Sequence, residues 1–255
     1  VLLAGCGVKD GSEIHEATLT LYFLDKQGAE AVCMAPNIDQ YHVVNHLTQE
    51  VTKEKRNVLV ESARIARGNI KDLKEVKATD LDGLIIPGGF GAAKNLSDFA
   101  FKGPEATVNR DVTRLLKEMT ASKKPIGAIC ISPAPLAKAL GDKKPEVTIG
   151  NDPGTAKAIE AMGGKHHACT VDMIHLDAKN NVVTTPAYML GPGIKDVAAV
   201  MRDGYSTRRG FGMGLPGARR LMDEFEIVSA PGRGTTVTIT LPGFQAVPEH
   251  AEERA

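Results

Sequence analysis

Short apolar runs alternate with helix-like stretches along the first 199 residues, and this alternation restricts the fold more than any other feature. The apolar runs are VLLAG, AEAVCMAP, LDGLIIPGG, PIGAIC and NNVVTTPAYM. Apolar periodicity and glycine stops predict helices between them, at about residues 13–26, 45–66, 104–119 and 153–162. Strands that alternate with helices in this way predict an α/β fold, with a mostly parallel sheet covered on both faces.

Composition excludes several classes of partner. The 255 residues suffice for one large domain or two smaller ones, and 42% of them are hydrophobic. Lys and Arg (31) balance Asp and Glu (31), so neither nucleic acid nor a membrane surface is indicated as a partner. No apolar run approaches the ~18 residues that span a bilayer. The chain opens without Met or a signal peptide, on a strand already in progress, so we expect the natural protein to begin upstream.

The four cysteines are scattered and have no CxxC spacing. In a chain with a full core this predicts free thiols and a cytoplasmic location. One of them, Cys130 in KKPIGAICISPAPLAKAL, stands where a buried strand must turn into a helix. Ser132 would cap that helix and Pro133 suits its first turn. This is the order of a nucleophile elbow, and the helix N-terminus would lower the thiol pKa. An inert buried cysteine is the alternative.

A glycine turn follows another strand, in LIIPGGFGAAKN. Gly88 and Gly89 leave the carboxyl end of that strand, the edge where open α/β sheets bind ligands. Backbone N–H groups there can point at a developing oxyanion, although a plain turn would have the same sequence. Lys94 and Asn95 come next and either line the pocket or lie on the surface.

The loop after the first strand, GCGVKDGSEIHEA, combines glycines with ionisable side chains. Its spacing departs from G-x-G-x-x-G, so a dinucleotide site is weakly indicated. We predict Ser12 as the N-cap of the next helix, with Glu13, His15 and Glu16 in its first turn. Both glutamates could simply favour the helix dipole.

A metal site is not predicted. His42 and His46 share a helical spacing, and a second group lies at His166, His167 and Cys169. A zinc site would require the two groups to converge.

Taken in order, several segments resemble the ElbB proteins of the ThiJ/PfpI superfamily, isoprenoid-biosynthesis proteins with an amidotransferase-like domain. The segments are GCGVKDGSEIHEA, NHLT, RNVLVESARIARG, PGGFGAAKNLSDFA, GAICISPA, TIG and VVTTPAYML. The resemblance covers about residues 1–197. It implies a flavodoxin-like three-layer sandwich of the class I glutamine amidotransferase-like type.

The resemblance also implies an activity of glyoxalase type. Glyoxal would be converted to glycolate without glutathione, a metal or another cofactor, and protein deglycation is a related activity. The substrate would be a small-molecule aldehyde, and we expect a homodimer.

Site residues carry over from the resemblance one by one. The family nucleophile falls on Cys130, and the helix-borne glutamate best matches Glu16, with Glu13 as a rival. The oxyanion donors would be the N–H groups of Gly89 and Ile131. Ile131 stands where many superfamily proteases have His, which argues against a Cys-His peptidase and leaves His15 as the nearest replacement. Glu13, His15, Gly88 and Asn95 would line the pocket.

The segment GYSTRRGFGMGLPGARRLMDEFEIVSAPGRGTTVTIT resembles a different family, the GHKL-type ATPases of the anti-sigma-factor kinase RsbT kind. Gly210, Gly212 and Gly214 match its phosphate-binding glycine box. The family's Asn-bearing helix and D-x-G-x-G segment are missing, so we predict a vestigial fragment that does not bind ATP. We also predict a helix over 215–225 and a β-hairpin after it.

These patterns divide the chain into an ElbB-like domain (1–200), a partial GHKL-like segment (201–245) and a disordered tail (246–255). The preferred function is a glyoxalase that uses Cys130. The alternatives are a cysteine redox or stress sensor without turnover and a nucleotide-dependent regulatory kinase fragment.

Overall fold

The computed structural model describes residues 1–190, together with two strands at 224–230 and 234–240. The chain divides into two compact units, Val1–Gly191 and Pro192–Ala255. The predicted boundaries at residues 200 and 245 stay predictions. None of the helices in the described residues has the length and apolarity to cross a membrane.

A mostly parallel sheet organises the first unit. The strands of this unit, in chain order, are β1 Met34–Ala35, β2 Val44–Asn45, β3 Glu50–Val51, β4 Lys71–Asp72, β5 Leu84–Ile86, β6 Ile126–Ile129, β7 Glu146–Val147, β8 Lys165–His166, β9 His175–Asp177 and β10 Val182–Thr185. The central strands lie in the order β5-β6-β10-β9, and only β9 is antiparallel to its neighbour among these four. Elsewhere β1 pairs with β4 and β7 with β8, both parallel, while β2 and β3 form an antiparallel pair.

The first residues of the chain join the β1–β4 pair to the four central strands. The Leu2 N–H donates to the carbonyl of Ile85 (2.9 Å), and the Leu3 N–H donates to that of Met34 (2.8 Å). The opening segment therefore lies between β1 and β5. Its side chains alternate between two cores, since Leu2 belongs to the larger apolar cluster and Leu3 to the smaller one. Both faces of the sheet are covered, as the strand–helix alternation predicts.

Helices cover the two faces of this sheet. They are α1 Ile14–Lys26, α2 Val58–Ile65, α3 Phe90–Lys94, α4 Phe99–Lys102, α5 Arg110–Ala121, α6 Pro133–Ala139 and α7 Pro153–Ala161, with short 3₁₀ turns between them. In α5 the apolar face predicted from the sequence is buried: Val112, Leu115, Leu116 and Met119 all lie in the larger core. The α7 bounds agree with the predicted helix to within one residue.

The predicted helix over 45–66 is wrong in its first half. Residues 44–51 form the β2–β3 hairpin, and the helix begins only at Val58, where the Asn57 side chain accepts the N–H of Val60 (3.1 Å). Gln49 adopts a left-handed conformation (φ 64°) inside the hairpin turn. A residue in that conformation ends helical geometry, and no glycine in this stretch marks the position.

Two other helix starts also differ from prediction. The α1 helix is capped by Glu13, whose carboxylate accepts the Glu16 N–H (2.6 Å), and not by Ser12, whose hydroxyl accepts the N–H of Ala4 (2.9 Å). The helix predicted over residues 104–119 corresponds to α5. It begins only at Arg110, behind an Asn109 cap, because Pro104 lies in a separate 3₁₀ turn.

In the second unit the predicted hairpin is confirmed. Strand β11 (Glu224–Ala230) pairs antiparallel with β12 (Gly234–Thr240), and Ala230 lies opposite Gly234. Phe225 belongs to β11, so the predicted helix cannot extend to it. The glycine box at Gly210, Gly212 and Gly214, and the tail at 246–255, lie outside the described residues.

Candidate active site

Cys130 occupies the sharp turn between β6 and α6. Its φ is 61°, a left-handed value that is unusual for a residue with a side chain. The turn is held because the Cys130 N–H donates to the Thr185 carbonyl (2.9 Å) and the Ser132 N–H donates to the Ile129 carbonyl (3.0 Å). Ser132 stands at the N-cap of α6, but its hydroxyl donates to the Pro87 carbonyl (2.7 Å), so the predicted capping bond is replaced by a link to the neighbouring glycine turn. Strain of this kind is typical of a nucleophile elbow.

Three groups converge on the Cys130 sulfur. The backbone N–H groups of Gly89 and Ile131 donate hydrogen bonds to it, and the Glu16 side chain shares a hydrogen bond with it. The cysteine is only 8% exposed. The two N–H donors that the family resemblance assigns to an oxyanion thus meet at the sulfur itself.

Glu16 reaches this point from the first turn of α1. One carboxylate oxygen, Oε2, accepts the N–H of Gly88 (2.8 Å), and Oε1 accepts the N–H of Tyr188 (3.3 Å). Burial raises the pKa of Glu16 from 4.5 to about 7, although these N–H groups and the thiol oppose the rise. A carboxyl group of this pKa can both accept and release a proton near neutral pH.

The other two ionisable residues of this turn take different positions. Glu13 is committed to the helix cap, with its carboxylate on the Glu16 N–H. His15 is turned outward: its side chain is 61% exposed, with Nδ1 3.6 Å from Glu13 Oε1 and its ring edge-on to Tyr188. Of the two glutamates that the sequence leaves as rivals, Glu16 is therefore the one in contact with Cys130.

Gly88 allows the thiol and the carboxylate to meet. A Cβ at this position would lie 2.4 Å from Cys130 Cβ and 2.6 Å from Glu16 Oε2, closer than any real contact. At Gly89 the backbone has φ 95°, and an added Cβ would lie 2.3 Å from the Glu13 nitrogen. The glycine pair is thus required by close packing at the site as well as by the turn.

The pKa of the Cys130 thiol is raised, whereas the sequence predicts that it is lowered. Burial, and then the charge of Glu16, raise the pKa of Cys130 to about 12, although the Gly89 and Ile131 N–H groups lower it. Two hydrogen bonds do not outweigh the removal of the sulfur from water beside a carboxylate. The thiol therefore stays protonated at neutral pH until a neighbouring group accepts its proton.

The comparison with known proteins agrees with this geometry. The DJ-1/PfpI family profile matches residues 6–185, a stretch that contains Glu16, the glycine turn and the elbow. The chain belongs to the DJ-1/PfpI family. It is 50% identical over 199 residues to the rat (Rattus norvegicus) protein named ES1 protein homolog, mitochondrial. It is 49% identical over 199 residues to the Homo sapiens protein named glutamine amidotransferase-like class 1 domain-containing protein 3, mitochondrial. Each match covers 74% of this chain and 74% of the relative.

A solved structure supports the fold. The isoprenoid biosynthesis protein with amidotransferase-like domain from Ehrlichia chaffeensis is 42% identical, with a TM-score of 0.68, over 74% of this chain and 87% of that one. The predicted α/β fold of the class I glutamine amidotransferase-like type is confirmed. A separate match of 57% identity over 47 residues, 18% of this chain, is to the serine/threonine-protein kinase RsbT of Bacillus subtilis. It covers 35% of RsbT.

The predicted cytoplasmic location is wrong, because the rat and human relatives of this DJ-1/PfpI protein are both named as mitochondrial. All four cysteines are free, as predicted. Free thiols indicate a compartment in which disulfides do not form, and that property alone does not single out the cytosol.

Asn95, which the sequence suggests as a pocket residue, is a structural member of this DJ-1/PfpI site. It is buried, its amide donates to the carbonyls of Ala4 and Asp10 (2.8 Å each), and its oxygen accepts the Tyr41 N–H (3.0 Å). Both amide hydrogens are thereby used to hold the first loop. Lys94 has a similar role, since its Nζ donates to the Lys9 carbonyl (2.9 Å).

Two contributors to the site were not predicted. The Tyr188 N–H orients Glu16, and Gly11 packs so tightly that a Cβ there would lie 2.2 Å from the Cys6 nitrogen. Both lie in segments that carry the family resemblance, which is the only sequence signal that points to them.

Beyond Glu16, between α1 and the sheet, lies an apolar cavity of about 510 Å³. It is lined by Glu16, Leu19, Thr20, Phe23, Leu24, Gln27, Ile85, Ile129, Thr185, Ala187 and Tyr188.

The structure places the histidines in other groups than the two considered from the sequence. His46 packs on Gly7 and lies 3.8 Å from Asp10, where its Nε2 accepts the Lys9 N–H (3.2 Å). Within residues 1–190, the one group of ligand-type side chains close enough to share an ion is Glu146, His167 and His175.

Proposed function

We propose that this chain is a glutathione-independent glyoxalase of the ElbB type, which converts glyoxal or a similar small dicarbonyl to a hydroxy acid through Cys130 and Glu16. The hydrogen bond between the Glu16 carboxyl and the Cys130 thiol is the observation that carries the proposal. It joins a nucleophile to a group that can move its proton, and general acid–base chemistry requires contact of this kind.

The first step is addition to the aldehyde. Glu16 accepts the thiol proton as Cys130 Sγ bonds to one carbonyl carbon, and the carbonyl oxygen receives a proton to give a hemithioacetal. The Gly89 and Ile131 N–H groups, which meet the sulfur in the resting state, lie where they can stabilise the developing oxyanion. Because the thiol pKa is raised, the thiolate forms only as Glu16 takes the proton, so proton transfer accompanies formation of the carbon–sulfur bond.

The second step moves a proton between the two carbons. Glu16 removes the C–H proton of the hemithioacetal carbon and returns a proton to the adjacent carbon. The hydroxyl proton of the hemithioacetal passes to the neighbouring carbonyl oxygen, and the product is the thioester of the hydroxy acid. Water then cleaves the thioester, releases glycolate from glyoxal and restores the thiol. Together these steps are an internal redox exchange between the two carbons, so they need no external oxidant or reductant.

The structure gives less support to the alternative function, a redox sensor that uses the same cysteine. Sensor cysteines are accessible and have lowered pKa values. Cys130 has the opposite properties, since it is buried and its pKa is raised to about 12.

The test is glycolate production from glyoxal by the full chain and by Cys130→Ser. We expect kcat/KM to fall by at least about a thousandfold in the variant. We also expect kcat/KM of wild type to fall as the pH decreases below about 7, because Glu16 becomes protonated. Cys169→Ser is the matched control, because Cys169 is a free thiol in the loop between His167 and His175, and should retain full activity. Equal turnover by wild type and Cys130→Ser, or none by wild type, would refute the proposal. A glycated peptide as substrate would separately test deglycation.

A further inference from the structure

A second cluster of ionisable side chains lies among strands β7, β8 and β9. Glu146 is on β7, His167 directly follows β8, and His175 begins β9. One ligand atom from each lies within 4.8 Å of the others. The Nε2 atoms of His167 and His175 are 2.7 Å and 3.4 Å from the same carboxylate oxygen, Glu146 Oε2. Three strands thus bring two imidazoles and one carboxylate to a single point.

The backbone of each residue is fixed independently of its side chain. The Glu146 N–H donates to the buried carboxylate of Asp177 (2.9 Å), and the His167 N–H donates to the Val147 carbonyl (2.8 Å). His175 pairs with Thr184 in the β9–β10 ladder. The side chains therefore converge because of strand pairing, and only rotations about side-chain bonds are needed to adjust them.

The Nε2 atoms of the two half-buried histidines are closed off from solvent. Both crowd the same oxygen, Glu146 Oε2, and within residues 1–190 neither makes a well-aligned hydrogen bond. The rings are stacked, with centroids 3.9 Å apart and planes 14° from parallel. Buried polar nitrogens without a hydrogen bond are rare and call for an explanation, such as an ion that uses them as ligands.

The donor set matches one class of ion. Two imidazoles and a carboxylate are the protein ligands of many zinc sites with one open position, and the same set can hold other divalent transition metals. Bonds of about 2.0–2.1 Å place tetrahedral ligand atoms roughly 3.3 Å apart, which is near the 2.7 Å and 3.4 Å separations between the ring nitrogens and the carboxylate oxygen. Because the rings are stacked with their planes 14° from parallel, they must also rotate about their side-chain bonds before both Nε2 lone pairs point at one ion. Lys165 Nζ lies 3.1 Å from Glu146 Oε1, so it orients the carboxylate and leaves Oε2 to the ion.

We propose that Glu146, His167 and His175 form a binding site for a divalent transition-metal ion of the Zn²⁺ type. The two histidines bracket the loop 168–174, whose Met173 carbonyl accepts the Thr185 hydroxyl (3.1 Å). Thr185 also accepts the N–H of Cys130. The bound ion closes this loop and steadies the outer edge of the sheet that holds the elbow. The site is independent of the proposed glyoxalase function.

The test is titration of the full chain with Zn²⁺ after removal of metals with EDTA, followed by calorimetry, with Co²⁺ absorption as a report on geometry. We expect one Zn²⁺ per chain, in a tetrahedral site, and a rise in Tm of about 5 °C at a hundredfold excess over Kd. His167→Ala and His175→Ala should each weaken binding by at least about 100-fold. Glu146→Gln, which keeps the side-chain shape, should weaken it as well.

The controls separate this site from other ligands. His46→Ala removes the alternative histidine considered from the sequence, and Cys130→Ser removes the reactive thiol; both should bind Zn²⁺ as wild type does. Melting in EDTA shows whether each variant is folded. Failure of wild type to bind, unchanged binding in the two histidine variants and Glu146→Gln, or equal loss in His46→Ala would overturn the proposal.

Discussion

Glu16 and Glu146 are carboxylates on the same unit that respond to their surroundings in opposite ways. Glu16 is buried, and its pKa rises to about 7. Glu146 is 38% exposed, and its contact with the Lys165 ammonium, and then with His167, lowers its pKa. Both accept hydrogen bonds, so hydrogen bonding alone does not decide the direction.

The two carboxylates differ in burial and in whether a cation lies beside them. The groups that affect the pKa of Glu16 are two backbone N–H groups, a thiol and the like charge of Glu13, and together they do not offset desolvation. At Glu146 the Lys165 ammonium acts through a short contact of 3.1 Å. The first arrangement favours proton transfer, whereas the second favours a permanent negative charge that suits ion binding.

Glu16→Gln should have the largest effect on this contrast. We expect glyoxal turnover to fall about 10²- to 10⁴-fold, because the amide cannot move a proton. Stability should change in the opposite direction. The folded chain binds more protons at Glu16 than the unfolded chain between pH 4.5 and about 7, so its stability falls as the pH rises through that range.

Gln removes this loss and keeps an oxygen for the Gly88 N–H. Urea unfolding should therefore show Glu16→Gln to be more stable than wild type by about 3 kcal/mol at pH 8, and no more stable at pH 4. A variant that is less stable at pH 8 would mean that Glu16 is stabilised in its ionised form, like Glu146.

Gly88→Ala should have the next largest effect. Its Cβ would overlap Cys130 Cβ and Glu16 Oε2, so we expect a loss of about 2 kcal/mol from overpacking and a strong loss of turnover. Gly83→Ala is the control, since Gly83 is exposed and its Cβ would make an ordinary 3.4 Å contact with Pro125. Thermal melts and glyoxal assays of the two variants compare the site with a neutral position; similar behaviour would show that the site has room to relax.

Glu146→Gln should have the smallest effect when metal is absent. Its ion pairs are partly exposed and screened by solvent, so Tm in EDTA should change by less than about 2 °C, without the pH-dependent gain expected of Glu16→Gln. Melting curves at pH 5 and pH 8 measure this. A gain in stability at high pH would remove the contrast between the two carboxylates.

Local chemistry predicted much of the fold. The order of strand, turn and helix around Cys130 places the thiol at an elbow, and the apolar periodicity of α5 identifies the face that is buried. The hairpin at 44–51 was missed because its turn depends on the left-handed Gln49, a conformation that the residue type does not announce. Ser12 was assigned to a helix cap because Ser is a good cap residue, but the N–H of Ala4, near it only in the folded chain, takes its oxygen.

Some features of the site could also be predicted from the sequence, and others could not. The sequence by itself determined the parallel α/β architecture, the position of Cys130 and the glycines that allow close approach, because these follow from periodicity, turn chemistry and residue size. Only the tertiary structure decided that Glu16 and not Glu13 meets the thiol, that the thiol pKa rises, and that Glu146, His167 and His175 converge. Those outcomes depend on desolvation and on distances between residues far apart in the chain, and neither quantity exists until the strands have paired.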